Sequence, residues 1–329
     1  MEEQPKEITL DEVRQALLDD AVQLEQPQLY RLSGLEAPDI ETLSAFWDQI
    51  SSDRRQSLLD ELETLADSNT TMDFDSVARV ALADENPITR TTALRILWEC
   101  EDPKLIPDLV NMLENDDDQN VRAQAASTMG HFLHLGELSK IPPDSMSQAE
   151  DALLAVMESE DHPEVRRQAL ESLGYSGREA VRGHIEEAYE YGDEEWQASA
   201  LAAMGRSADR EWEPEVLEKL DHVNELVREE AARAAGELEL EMAAAALFQM
   251  LEHEEEEVRM AAAWSLSQIG GNDVQEALEN QLEFSESDAE TSLVEDAIEN
   301  LVFTEELEDL SMLEFSEDQL EPPLDEPED

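Results

Sequence analysis

Cysteine is nearly missing from this sequence. Cys100 stands alone among 329 residues, which excludes an intramolecular disulfide, a cysteine zinc cluster and a C-x-x-C redox pair. Basic residues are scarce as well, 21 against 84 acidic ones, and only four of the 21 are lysines. The resulting formal charge of −63 repels nucleic-acid phosphates and anionic bilayers across nearly every face, so neither is an expected ligand. Long hydrophobic runs are lacking, and the most uniformly apolar stretch, Met242 to Phe248, is too short to span a bilayer. The opening Met1-Glu2-Glu3-Gln4-Pro5-Lys6-Glu7 has neither the basic end nor the apolar core of a secretory signal. The expectation is a cytoplasmic protein.

Recognisable catalytic motifs are missing too. There is no G-x-S-x-G nucleophile elbow, no G-x-x-x-x-G-K-[ST] phosphate loop and no G-x-G-x-x-G dinucleotide turn. Carboxylates are so abundant that a pair of them carries no catalytic information. The run Asn115-Asp116-Asp117-Asp118-Gln119-Asn120 lacks the glycine that a calcium loop needs for its sharp turn. His131 and His134 stand at helical spacing, but no third metal ligand is nearby in the sequence. No catalytic, cofactor-binding or metal-binding residue is expected.

What the sequence has in quantity is helix-forming material. Hydrophobic residues make up 41% and aromatics only 5%, and the remainder is rich in Glu, Gln and Arg. One pattern returns along the chain: an aliphatic residue, Arg, two variable positions, Ala, then a small residue. Val121-Arg122-x-x-Ala125 leads to Gly130, Val165-Arg166-x-x-Ala169 to Gly174, and Val227-Arg228-x-x-Ala231 to Gly236. Trp196-Gln197-x-x-Ala200 leads to Gly205, and Val258-Arg259-x-x-Ala262 to Ser267. An earlier copy, Thr89-Arg90-x-x-Ala93, has Trp98 in the glycine position. The Arg position recurs at 90, 122, 166, 197, 228 and 259, in steps of 32, 44, 31, 31 and 31. Two apolar stretches of helical spacing fill each period, for example Val216-Leu217-Leu220 and Val227-Ala231-Ala235, with polar turn residues between them. Each period is therefore a helical hairpin, and a lone hairpin cannot bury its apolar face without stacking on its neighbours.

These residues resemble the HEAT-repeat family, in particular the short bacterial HEAT-like repeats of the phycobilisome-lyase type, over roughly residues 75 to 303. The resemblance implies an all-α fold, an α-solenoid or superhelix of helical hairpins of the armadillo type. It also brings enzymes into view. Deoxyhypusine hydroxylase resembles a ring of four His-Glu pairs on such repeats, but only His253-Glu254 occurs here, so that iron site cannot be assembled. HEAT-like DNA glycosylases imply a basic surface, which this chain lacks. Phycobilin lyases share the repeat, but no chromophore-specific signature is found.

The expected organisation is an irregular helical cap over 1–74, the repeat array over 75–303, and an acidic disordered tail over 304–329. The tail holds twelve acidic side chains, which leaves −51 on residues 1–303, so the body itself is acidic. In the tail, Leu310, Met312, Leu313 and Phe315 form either a short docking motif or apolar remnants of a solubilising segment. The 44-residue step exceeds the period by 13 and points to an insertion near 131–143 that lengthens one helix and adds a loop. The recurring arginines each follow an acidic turn, and turn-bridging ion pairs are favoured over a basic binding stripe.

Residues 175 to 212 hold three of the four tyrosines and two of the five tryptophans, together with several arginines. Aromatic and Arg side chains are the usual interface anchors, so Tyr175, Arg178, Arg206, Arg210 and Trp212 are the candidate partner-binding residues. Against this, Trp196 fills a core position and the arginines can bond helix-end carbonyls. The expected function is a monomeric, non-enzymatic scaffold whose acidic surface binds a basic protein or peptide. The alternatives are an assembly or lyase-type factor that presents a chromophore or client, a decoy imitating nucleic-acid charge, and acidity that reflects a high-salt habitat.

Overall fold

The computed structural model describes residues 8–271, 273–285 and 287–317, with backbone alone for 304–317. Its described residues contain eighteen α-helices and no strand. The chain divides into two compact units, Met1–His184 and Ile185–Asp329.

The first unit begins with α1 (Leu10–Leu17) and α2 (Gln26–Tyr30). Four hairpins follow: α3 (Ala37–Phe46) with α4 (Ser52–Ser68), α5 (Asp75–Ala81) with α6 (Pro87–Ile96), α7 (Ile106–Asn115) with α8 (Gln119–Glu137), and α9 (Pro143–Met157) with α10 (Pro163–Leu173). The division between units falls within α11 (Glu179–Tyr191). The second unit continues through α12 (Glu194–Arg206), α13 (Glu213–Lys219), α14 (Glu225–Glu237), α15 (Ala244–Met250), α16 (Glu256–Ile269), α17 (Val274–Phe284) and α18 (Asp288–Glu317). Second helices of successive hairpins stack on one another, α4 on α6, α8 and α10 in the first unit and α12 on α14, α16 and α18 in the second. This is the all-α solenoid of HEAT-like hairpins that the period implies.

Local chemistry explains where the second helices start. Asn86, Asp118 and Asn224 cap α6, α8 and α14 through side-chain oxygens that accept backbone N–H groups, and His162 does the same for α10 through Nδ1. Pro87 and Pro163 occupy first-turn positions, where a missing N–H is harmless. The glycine position allows close crossing: a Cβ on Gly236 would meet Ser265 Cα at 2.7 Å, and one on Gly130 would meet Ser172 Cβ at 3.2 Å. Beside those crossings runs a row of hydroxyls. Thr128 donates to the Leu94 carbonyl at 3.2 Å, Ser172 to Ala126 at 2.8 Å and Ser265 to Ala232 at 2.7 Å. Each hydroxyl stands six residues after an Arg position and each carbonyl four after the preceding one, so a second periodic tie accompanies the first.

The arginines form the first tie. Arg90 chelates Asp116 at 2.6 and 2.8 Å and donates to the Asp84 carbonyl at 2.7 Å. Arg122 chelates Asp161 at 2.6 and 2.9 Å and donates to the Asp116 carbonyl at 2.8 Å. Arg259 chelates Glu290 at 2.7 and 2.8 Å and donates to the His253 carbonyl at 2.9 Å. One turn residue can therefore serve two hairpins, with its carbonyl taking its own repeat's Arg and its side chain that of the repeat before. Arg55 extends the row into the segment expected to be an irregular cap: its Nε lies 3.2 Å from Asp84, which also accepts from Trp47 Nε1 at 2.8 Å. That hairpin escapes the sequence pattern because Arg54 and Leu58 stand where an aliphatic residue and Ala are looked for.

Arg122 holds the Asp161 carboxyl below its ordinary value of 3.8. A depressed folded pKa gives stability that is fully present above the unfolded value and lost as pH falls through the folded one. Asp161→Asn should therefore destabilise the protein near neutrality, with the difference from the native protein closing below pH 3.8, as followed by thermal melting across pH.

The rung at Arg228 is weaker. Its Nη2 lies 2.7 Å from His253 Nε2, while His253 Nδ1 faces the Glu255 N–H at 3.0 Å. An imidazole offers at most one acceptor nitrogen, so it cannot satisfy both donors. His253→Asp, which restores the residue type found at 84 and 116, should stabilise the second unit by about 1 kcal/mol in urea unfolding.

The insertion is shared between two helices, and the loop expected with it is not added. Ala208 and Glu239, in left-handed backbone, follow positions 197 and 228 by 11 residues, whereas Ser139 follows Arg122 by 17. Six of the extra residues thus lengthen α8, and the others lie in α9, which has 15 residues against 7 in α13 and in α15. At the other end, α18 continues past Thr304 to Glu317, so backbone expected to be disordered is helical there. Glu and Leu are good helix formers, and no Gly or Pro interrupts them before Pro322. Residues 318–329 lie outside the described residues. The candidate motif Leu310, Met312, Leu313 and Phe315 lies on helical backbone whose side chains are likewise outside them.

Candidate partner-binding site

Equivalent turns carry the five candidate residues. Tyr175 and Arg178 occupy the α10–α11 turn of the first unit. Arg206, Arg210 and Trp212 occupy the end of α12 and the short 3-10 turn that leads into α13 in the second.

In the first unit, Arg178 Nε lies 2.7 Å from Glu150 and its Nη1 2.5 Å from Asp151, both on α9. Glu150 is buried and also accepts from the Ser176 hydroxyl. These carboxylates raise the Arg178 pKa further and keep it charged. Tyr175 is half-buried, its ring 5.0 Å from that of His134 on the lengthened part of α8. His131, one turn earlier, stands edge-on to Phe132, and burial lowers its pKa. Both histidines are thus placed in packing contacts.

In the second unit, Arg210 is 63% exposed and pairs with Glu239 at 3.1 Å, a solvent-facing contact. Arg206 is half-buried, within electrostatic reach of Glu237. Trp212 is only 4% exposed and belongs to the core. The expectation of an outward anchor is corrected there, because the turn at 210–212 directs its one large apolar side chain inward. Tyr189 is also used internally: its hydroxyl donates to the Glu215 carbonyl at 3.1 Å, Lys219 stands 4.8 Å over its ring, and burial pushes its pKa up to about 12. Tyr191, two residues on, is 81% exposed. Residues two apart on a helix face opposite ways, so Tyr191 is the outward aromatic of this segment. Composition alone did not separate it from Tyr189.

Chemistry elsewhere is quiet. Burial pushes the Cys100 thiol up to about 11, with Asp75 hydrogen-bonded beside it, so it is not an activated nucleophile. Among the described residues, no group of three or more His, Cys, Asp or Glu could hold a metal ion, and no helix is long and apolar enough to cross a membrane.

Stacked hairpins, an Arg tie at the turns and small residues at the crossings define an α-solenoid of the HEAT type. Residues 76–145 and 213–299 match the family model for HEAT repeats, and the chain carries such repeats in both units. A search of curated proteins gives no match. Among solved structures, the phycocyanin lyase CpcE–CpcF complex of Nostoc sp. PCC7120 is 20% identical, with 69% of this chain and 94% of that one covered at a TM-score of 0.46. Human deoxyhypusine hydroxylase is 16% identical, with 89% and 96% covered at 0.38. Importin beta is 13% identical, with 89% of this chain covered against 46% of that chain at 0.41.

Proposed function

We propose that this chain is a non-enzymatic, monomeric scaffold in the cytoplasm whose acidic surface binds a basic protein or peptide. The observation that carries the reading is how its few cations are used. Arg55, Arg90, Arg122 and Arg259 point into carboxylates and carbonyls of the chain's own turns, and Arg178 and Arg210 are paired as well. The charge of −51 on residues 1–303 is thus borne by side chains that the arginines leave largely uncompensated. Such a surface steers a cationic partner, and Tyr175, Arg178, Arg206 and Arg210 at the turns supply specificity, with Trp212 holding the Arg210 turn from within.

The test is binding of a labelled Lys/Arg-rich peptide, and of basic proteins captured from native lysate. Affinity should fall at least about tenfold between low salt and ~1 M, where the screening length is ~3 Å. Failure of any basic ligand to bind at low salt, or binding indifferent to salt, would falsify the proposal.

A further inference from the structure

Between α7 and α9 the first helices of neighbouring hairpins leave a groove of about 460 Å³. Its apolar lining comes from Val110, Ala152 and Ala155, and Glu114, Asp144 and Asp151 stand around it. We infer that this groove is the docking site for a basic segment of the protein partner, and the inference rests on the scaffold reading above. A Lys or Arg side chain has the matching anatomy, an aliphatic stem that covers apolar surface and a cationic head that reaches carboxylates. No lining residue is basic, and although Arg178 already pairs with Asp151 on one wall, Glu114 and Asp144 supply two further carboxylates for a cation. The carboxylate of Asp151 is held in place by Arg178 Nη1 at 2.5 Å, which pre-orients one wall.

Ser147 and Gln148 also line the groove. Each carries both donor and acceptor groups, which match both kinds of group on a peptide backbone, whereas a charged polyamine, whose nitrogens are all donors, can use only the acceptors. The insertion contributes directly, for α9 begins at its end, with Pro143, and Asp144, Ser147 and Gln148 lie in the first half of that helix. The longest step of the repeat is therefore the one that shapes this groove.

The experiment measures fluorescence anisotropy of a labelled Arg/Ala-rich peptide with the full chain, with spermine as competitor. Glu114→Gln with Asp144→Asn should weaken peptide binding at least about tenfold, and Ala155→Lys, an exposed helix position that puts a cation in the groove, should do the same. Glu241→Gln with Glu252→Gln, an equal charge change on exposed residues of the second unit, should leave affinity within about twofold. Circular dichroism checks that each variant is folded. Equal weakening by both double variants would overturn the groove and leave the scaffold reading standing, because binding would then follow the general field. No binding by the native chain would overturn both. Spermine holding the groove as tightly as the peptide would overturn the peptide assignment.

Discussion

Glu290→Ala should destabilise the second unit by ~3–5 kcal/mol, among the largest effects of any single substitution in the chain. Glu290 is 0% exposed and accepts both arms of Arg259, itself nearly buried, and also the Gln281 amide at 2.7 Å. Removing the carboxylate leaves a guanidinium enclosed without its anion, together with an amide donor that has lost its acceptor. The native pair itself adds less than this loss, since desolvating two charges offsets most of their attraction. Arg259→Met combined with Glu290→Met should therefore recover much of the loss. Because a solenoid holds itself together through nearest-neighbour contacts, the damage should centre on α16 to α18. Hydrogen exchange would show protection lost there first, while the first unit keeps its own. Equal loss of protection through both units would overturn this local account.

Trp212→Ala should cost about 3–5 kcal/mol in urea unfolding, because it empties a large buried volume at the start of a hairpin. Trp212→Phe should lose much less, and Arg210→Ala should stay within about 0.5 kcal/mol, as an exposed pair with Glu239 contributes little. The comparison separates the binding role expected from the sequence from the core role that burial gives Trp212. A tryptophan that served as a surface anchor would lose partner binding on substitution and leave the melting curve unmoved. A core tryptophan shifts the curve first, and any binding loss follows from it.

Such separations show which parts of the molecule were legible as text. The hairpin period was, because stacking forces the same contact to recur and hence the same residue types: Val227, Arg228, Ala231 and Gly236 reappear as Val258, Arg259, Ala262 and Ser267. The structural role of the arginines was legible too, since acidic turns precede them. Less visible was the row of hydroxyls at Thr128, Ser172 and Ser265, because alanine replaces them at the corresponding positions 203 and 234 and the period is broken. The rung at Arg55 was hidden for a similar reason, as its neighbours depart from the repeated pattern while its partner Asp84 does not.

The period, the solenoid class and the acidity of the body follow from sequence, because they depend on regularly spaced residue types and on a count of charges. Which way a side chain faces is another matter. Tyr189 turns inward and Tyr191 outward, and Trp212 is buried beside an exposed Arg210. Those directions depend on helix phase and on the path of each turn, which composition does not record. The groove lined by Val110 and Ala152, 42 positions apart in the chain, likewise exists only once α7 and α9 stand side by side. Periodic residues announce the contacts that every hairpin repeats; the features that single out one hairpin, and with it a place to bind, arise from packing that happens once.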